Sequence, residues 1–169
     1  MMQSVKAADT IQLSLQISWT TLNCYWATGI DLWSITVSKT EQTISGNAWI
    51  GNTFECIDLR WDATWQYSMI GDNTPIGSFQ NTTYGNIIPR SGIVISITNP
   101  AHITQGNCSI ANDSTGNLQD GIILMKKTGN VDQICDVVVN STGVTMAIDV
   151  PAYTKPWTYK GTIIFTQST

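Results

Sequence analysis

This 169-residue sequence has one histidine and two glutamates, so two residue types common in acid–base catalysis are scarce. His102 is the one histidine, so a Ser-His-Asp or Cys-His mechanism would have to use it, yet it stands in a predicted turn after Asn99 and Pro100. Glycoside hydrolysis requires two carboxyl groups, and neither Glu41 nor Glu55 belongs to a motif that marks such a pair. We therefore predict a protein that is not an enzyme and has no cofactor.

Oxygen-bearing side chains are concentrated between Asn112 and Asn117, with Asp120 close behind. Ca²⁺ accepts ligands of this type, but their spacing is not that of an EF-hand loop. Asn and Asp also form turns by bonding to nearby backbone groups, and we favour that interpretation. The sequence therefore predicts no metal site.

The charge balance argues against a nucleic-acid partner. Lys and Arg number 8 and Asp and Glu number 12, so the net charge is −4, whereas affinity for nucleic acids depends on basic residues that neutralise phosphates. The pair Lys126-Lys127 is too small a basic patch to recruit an acidic partner. No run of about 18 apolar residues occurs, so we expect no membrane-spanning segment.

The cysteines indicate the compartment. The sequence has 4 of them, widely spaced and without a C-x-x-C motif, which disfavours a zinc or thioredoxin-type site. An even number at such spacing is typical of disulfides in an oxidising environment, and hence of an extracellular protein. Four cysteines allow three pairings. We favour Cys24–Cys56 with Cys108–Cys135, because each pair would close a short stretch between neighbouring strands.

Asn-x-Ser/Thr sequences mark candidate N-glycosylation sites. They occur at Asn81, Asn107, Asn112 and Asn140. They agree with secretion, although several would arise by chance in a chain so rich in Asn, Ser and Thr.

Apolar and polar residues alternate along much of the chain, which predicts half-buried β-strands. The alternation is strongest at residues 10–19, 33–38, 93–98, 144–150 and 159–166, and weaker at 44–50, 54–59, 64–70, 122–126 and 134–140. About ten short antiparallel strands with little or no helix predict an all-β sandwich, of immunoglobulin-like or jelly-roll-like type. We expect a single domain over residues 1–169, with residues 1–9 as an extended leader.

Turn sequences separate the predicted strands. Examples are Ser45-Gly46-Asn47, Gly106-Asn107 and Thr115-Gly116-Asn117. Residues 71–92, with two prolines and several glycines, are predicted to form a long surface loop with at most one short strand.

Tryptophan and the first predicted strand are the candidates for contacts with a partner. Trp61 and Trp157 stand beside polar or turn residues, and an exposed Trp can stack on a sugar or anchor a protein interface. The first strand carries an apolar row of Ile11, Leu13, Leu15 and Ile17, continued by Trp19. This strand can pair with its own sheet or complete the sheet of a neighbouring molecule, and the main-chain bonds are alike in both cases.

Residues 146–168 contain a strand that ends in Val-Pro, then a turn, then a final strand of the form Tyr-x-Gly-Thr-x-x-Phe. The positions concerned are Val150, Pro151, Tyr159, Gly161, Thr162 and Phe165. This arrangement resembles the end of WxL-type cell-surface domains. Such domains also carry a Trp-centred motif about a hundred residues upstream, where this sequence has Trp65-Gln66-Tyr67. Neither this motif nor Phe165-Thr166-Gln167 spells Trp-x-Leu.

The resemblance implies a non-catalytic module on a bacterial surface that binds peptidoglycan or belongs to a surface assembly, and no binding residues carry over from it. Charged residues make up 12% of the chain, and low charge favours close-packed neighbours over dispersed molecules. We therefore predict a structural protein that assembles with its own copies into a surface layer or filament. The alternatives are a monomeric module that binds cell-wall glycan or protein and, with less support, a virion structural protein.

Overall fold

The computed structural model describes residues 22–25, 38–46, 53–60, 63–72, 79–80, 83, 85–129, 134–155, 159 and 161–169. The predicted leader and the predicted strand at residues 10–19 lie outside these residues, as does the predicted strand at 33–38 except for its last residue, Ser38.

The described part of the chain is almost entirely β-structure. Its strands are β1 (Leu22–Tyr25), β2 (Gln42–Gly46), β3 (Thr53–Asp58), β4 (Trp65–Gly71), β5 (Phe79–Gln80), β6 (Ile87–Ile88), β7 (Ile93–Ile97), β8 (His102–Gly106), β9 (Ile110–Ala111), β10 (Thr115–Asn117), β11 (Ile122–Lys127), β12 (Cys135–Asn140), β13 (Val144–Val150) and β14 (Ile163–Ser168). Two 3₁₀ turns, Arg90–Gly92 and Ser141–Gly143, are the helical elements among these residues.

The strands form three four-stranded sheets and one short hairpin of β5 and β6. Sheet A has the order β1-β3-β12-β8, sheet B the order β10-β7-β13-β2, and sheet C the order β14-β4-β11-β9. Every described strand pair is antiparallel. The sheets pack around a shared apolar core, so the predicted all-β sandwich is confirmed.

Two strand pairs turn the corner between sheets A and B. β13 pairs with β7 in sheet B. β12, which precedes β13 in the chain, pairs in sheet A with β8, which follows β7. At the corner, the carbonyl oxygen of Gly143 accepts a hydrogen bond from the backbone N–H of Thr98 at 2.7 Å. A Cβ atom on Gly143 would collide with the side chain of Asn99, so the close approach of the two chains requires glycine here.

Sheet C packs over sheet A. The ring of Phe54 in β3 lies 5.9 Å from that of Phe165 in β14. The side-chain Nε2 of Gln167 donates to the carbonyl oxygen of Leu22 at 3.0 Å, which joins β14 to the beginning of β1. β14 therefore lies opposite the β1 side of sheet A.

The strict alternation predicted for β7 and β13 is reproduced in their burial. Ile93, Ile95 and Ile97 of β7 are buried, while the residues between them are half-exposed. β13 buries every second residue from Val144 to Val150 in the same way. Both strands have neighbours on each side, which explains why their inner faces are fully covered.

The predicted disulfide pairing is confirmed. Cys24 in β1 is bonded to Cys56 in β3, and Cys108 is bonded to Cys135 in β12. The Cα–Cα distances are 4.2 and 6.0 Å, respectively. Two disulfides are typical of an extracellular or secreted protein.

Some predicted turns are strands. Ser45 and Gly46 belong to β2 and pair with Ala147 and Met146 of β13. The predicted turn at Thr115–Asn117 is β10, which pairs with β7 at the edge of sheet B. Local turn propensity is overridden in both places because a neighbouring strand supplies the backbone hydrogen bonds.

The strand count also differs from about ten. Four of the 14 strands, β5, β6, β9 and β10, have only two or three residues, too few to produce an alternating pattern. Two of these, β5 and β6, lie within the predicted loop of residues 71–92 as a hairpin. The last predicted strand begins later than expected, at Ile163, and extends to Ser168.

Candidate functional site

The contact residues predicted from the sequence cannot be placed. Trp61, Trp157 and the apolar row of residues 11–17 lie outside the described residues. The polar groups and the exposed apolar groups of the described strands are the remaining candidates for a functional site.

Two of the predicted glycosylation sites are at the surface. Asn107 follows β8 and Asn140 ends β12, and both are exposed. Asn112 is half-buried, its amide group donates to the carbonyl oxygen of Asp113, and its oxygen accepts from the N–H of Ala101. Asn81 lies outside the described residues.

The oxygen-rich residues 112–120 contain strand β10 and a turn after it, and their side chains bond to nearby backbone groups. The Asn117 carboxamide oxygen accepts from the backbone N–H groups of Gln119 and Asp120, both at 2.9 Å. Asp113 accepts from the N–H of Ile123 at 2.7 Å. The Asn117 contacts are those of an Asx turn, as the sequence analysis favoured, whereas the Asp113 contact joins two segments ten residues apart. No cluster of three or more His, Cys, Asp or Glu residues suited to a metal ion occurs in the described part of the chain.

His102 is not in a turn as predicted. It is the first residue of β8, where it pairs with Val138 of β12, and its side chain is exposed. β8 begins at His102 because this residue pairs with Val138 of β12, although Pro100 is only two residues earlier in the chain. The structure places no nucleophile or carboxylate in hydrogen-bond contact with it among the described residues.

A buried ion pair that the sequence analysis missed connects sheets A and C. Asp58 ends β3 and Lys127 ends β11, and their exposed fractions are 0% and 2%. Lys127 Nζ lies 3.2 Å from one Asp58 oxygen, and Arg60 Nε lies 2.8 Å from the other. The sequence did contain a signal for the burial of Asp58. Every second side chain of a strand points to the same face, and Asp58 follows Phe54 and Cys56 on the inward face of β3.

Several buried polar groups near this ion pair have no hydrogen-bond partner among the described residues. They are Nη2 of Arg60, Nε1 of Trp65 and the hydroxyl of Tyr67. Trp65 stands opposite Lys127 in the ladder of β4 and β11, and Tyr67 is two residues further along the same face. Burial raises the pKa of the Tyr67 hydroxyl well above its usual range.

The outer strand of sheet C is an exposed apolar edge in the described structure. β14 pairs with β4 on one side, and no described strand pairs with its other side. Ile163 and Phe165, on its inner face, are only half-buried, and Ile164, on its outer face, is 41% exposed. An isoleucine on the polar face of the predicted strand was the sequence signal for this exposure.

A second exposed feature is Tyr153, in the turn between β13 and β14. It is 72% exposed and has a backbone φ of 59°, a left-handed conformation that is uncommon for an aromatic residue. The backbone N–H of Tyr153 donates to the carbonyl oxygen of Ser38 at 3.0 Å, and the backbone N–H and the hydroxyl of Thr154 both donate to the carbonyl oxygen of Pro151. These three hydrogen bonds hold the turn. No feature of the sequence predicted this conformation.

Comparisons with protein-family models, with curated proteins and with solved structures find no match to this chain. Among the described residues, no helix has the length and apolar character needed to cross a membrane. The arrangement of surface groups is therefore the guide to function.

Proposed function

We propose that the protein is a non-catalytic, extracellular structural protein of the cell surface that assembles with its own copies into a layer or filament. The observation that carries this proposal is the outer edge of β14, which combines an exposed Ile164 with half-buried apolar side chains at the boundary of the core. Edge strands of monomeric proteins are normally shortened, charged or covered to prevent pairing with another chain. β14 has six residues and none of them is charged.

Composition and covalent structure support the same proposal. The chain has few charged residues, and two disulfides stabilise a fold outside the cell. The resemblance of residues 146–168 to WxL-type surface domains agrees with a surface role.

Two measurements on the purified protein test the proposal: light scattering gives its mass, and negative-stain microscopy shows whether assemblies form. We expect oligomers, fibres or a lattice for the wild type. Ile164→Lys should reduce the assembled fraction, because lysine on an edge strand opposes pairing. Gln105→Lys is the matched control, since it adds the same charge to an exposed position on β8, an edge strand of sheet A. A wild type that stays a uniform monomer at all concentrations would contradict self-assembly.

Tyr153 favours a second candidate, a monomeric module that binds cell-wall glycan. A highly exposed aromatic ring on a turn held by three hydrogen bonds presents a fixed face on which a sugar can stack. Sedimentation of the protein with insoluble cell-wall glycan tests this function. Retention of a monomeric wild type and its loss in Tyr153→Ala would favour the binding module.

A further inference from the structure

The buried ion pair of Asp58 and Lys127 brings a carboxyl group and a primary amine into contact between two sheets. Asp58 ends β3 in sheet A, and Lys127 ends β11 in sheet C, 69 residues later in the chain. Lys127 Nζ donates to Asp58 Oδ2 at 3.2 Å. Groups held this close, at about 3–3.5 Å, react as if they were highly concentrated. The contact is therefore a starting geometry for a covalent bond between the two side chains.

The surroundings of this pair are apolar and dry. The exposed fractions of Asp58 and Lys127 are 0% and 2%, so water has little access to either residue. Four apolar residues flank the pair in the strand ladders, namely Leu22 and Cys135 beside Asp58, and Trp65 and Ile110 beside Lys127. A site from which water is excluded protects a newly formed bond from hydrolysis.

The second oxygen of Asp58 is held by two donors from Arg60. The backbone N–H of Arg60 donates to Oδ1 at 3.1 Å, and the side-chain Nε donates to the same oxygen at 2.8 Å. Two N–H donors on one oxygen are the arrangement that stabilises the negative charge formed there during acyl transfer. The carboxyl group is thus polarised at Oδ1, while Oδ2 is directed towards the amine.

We propose that Lys127 and Asp58 condense to an amide, which is an isopeptide bond between sheets A and C. Nζ attacks Cγ of Asp58 and forms the C–N bond, the bond from Cγ to Oδ2 breaks, and Oδ2 leaves as water. Of the three protons of the ammonium group, two leave with this water and one stays on the amide nitrogen. No atom is oxidised or reduced, and no co-reactant is needed. The former Oδ1 becomes the amide oxygen and retains Arg60 as its donor.

The loss of two buried charges favours this condensation. A carboxylate and an ammonium group taken out of water carry a desolvation penalty that opposes their attraction, whereas the amide carries no charge. The charge that remains is that of Arg60, whose side chain is 17% exposed and therefore reaches solvent.

The bond would connect sheet C to sheet A covalently, which neither disulfide does. Three of the cysteines belong to strands of sheet A, and Cys108 lies between β8 and β9, outside the described strands. A cross-link between distant residues restricts the unfolded chain, so the two sheets would stay connected even when the protein unfolds. This bond does not depend on the proposed self-assembly.

Mass spectrometry of the full-length protein tests the bond. The disulfides are first reduced in denaturant, so that they no longer alter the mass. We expect the wild type to be lighter than the mass calculated from its sequence by one water molecule. Digestion should then release a branched peptide in which Asp58 and Lys127 are joined. This measurement is made on the wild type and requires no variant to fold.

Lys127→Met removes the amine, and Lys126→Met is its matched control on the other face of β11. The Lys127→Met protein should have its full calculated mass, whereas the Lys126→Met protein should lack one water molecule like the wild type. The two variants also separate the bond from a succinimide at Asp120-Gly121. A succinimide forms with loss of water as well, but it would persist in Lys127→Met.

Arg60→Gln tests the role of the donors to Oδ1. We expect part of this protein to keep the full calculated mass, because Oδ1 loses the Nε donor, even where circular dichroism and both disulfides match the wild type. Complete condensation in Arg60→Gln would show that Nε takes no part in the step. A wild type with its full calculated mass, or a branched peptide that joins other residues, would overturn the bond itself and leave an ordinary ion pair.

Discussion

β13 and β14 both lie in segments predicted to be strands from alternating apolar and polar residues, but they differ in burial. β13 lies between β7 and β2, and every apolar residue on its inner face is buried. β14 has β4 as its only neighbour among the described strands, and its inner side chains are half-buried. The alternation thus determines which face points inward, and the number of neighbouring strands determines how completely that face is covered.

This difference assigns different roles to the two strands. A strand between two neighbours contributes mainly to the stability of its own molecule, because its side chains already have all their contacts. A strand with one described neighbour keeps apolar area and backbone groups that another strand can use. Substitutions that are chemically identical in the two strands should therefore have unequal effects.

The largest expected effect comes from an isoleucine in each strand. Ile148→Ala in β13 should lower the free energy of unfolding by about 3–4 kcal/mol, because it removes a buried side chain and leaves a cavity. Ile163→Ala in β14 should cost about 1 kcal/mol in the monomer, because that side chain is partly in solvent already. Denaturant unfolding at a concentration where the protein is monomeric measures both. Equal losses would contradict the comparison.

The buried ion pair of Asp58 and Lys127 between sheets A and C provides the next test. Lys127→Met removes one partner of the buried Asp58 carboxylate, and we expect a loss of about 3 kcal/mol in the free energy of unfolding. Lys126→Met is the matched control, because Lys126 is the adjacent residue of β11 and its side chain is on the other, half-exposed face. Its effect should stay within about 0.5 kcal/mol. If the two variants were equally stable, the ion pair would not hold sheets A and C together.

The sequence was sufficient to predict the parts of the fold that depend on local pattern. Two of the strands predicted from strict alternation, β7 and β13, occur where predicted, and both disulfides join the expected cysteines. In each case the information lies in residues close together in the chain or in a small number of possible pairings.

The remaining features depend on contacts between distant segments, which a single sequence does not specify. β10 is a strand because β7 lies beside it, although Gly116 is typical of a turn. The burial of Lys127 depends on Asp58, 69 residues away in the chain. The exposure of β14 depends on which strands pair with it, and the left-handed conformation of Tyr153 depends on a bond to Ser38.

The smallest expected effect concerns Tyr67, which connects β4 to the edge strand by stacking on Phe165 at a centroid distance of 5.9 Å. Its buried hydroxyl has no hydrogen-bond partner among the described residues. Tyr67→Phe keeps the ring and removes this group, so we expect the free energy of unfolding at neutral pH to rise by about 1 kcal/mol.

The same variant should alter the response to alkali. Because burial raises the pKa of the Tyr67 hydroxyl, the folded protein retains this proton at a pH where the unfolded chain has lost it. The contribution of this group to stability is therefore complete below about pH 10, the usual pKa of tyrosine, and is lost as the pH rises above it.

Unfolding curves of the wild type and Tyr67→Phe between neutral pH and pH 11 isolate this residue, since all other titrating groups are common to both. We expect the advantage of the variant to grow above about pH 10. A constant difference across the range would show that the hydroxyl ionises equally in the folded and unfolded states, and a loss of stability at neutral pH would show that it has a hydrogen-bond partner in the folded protein.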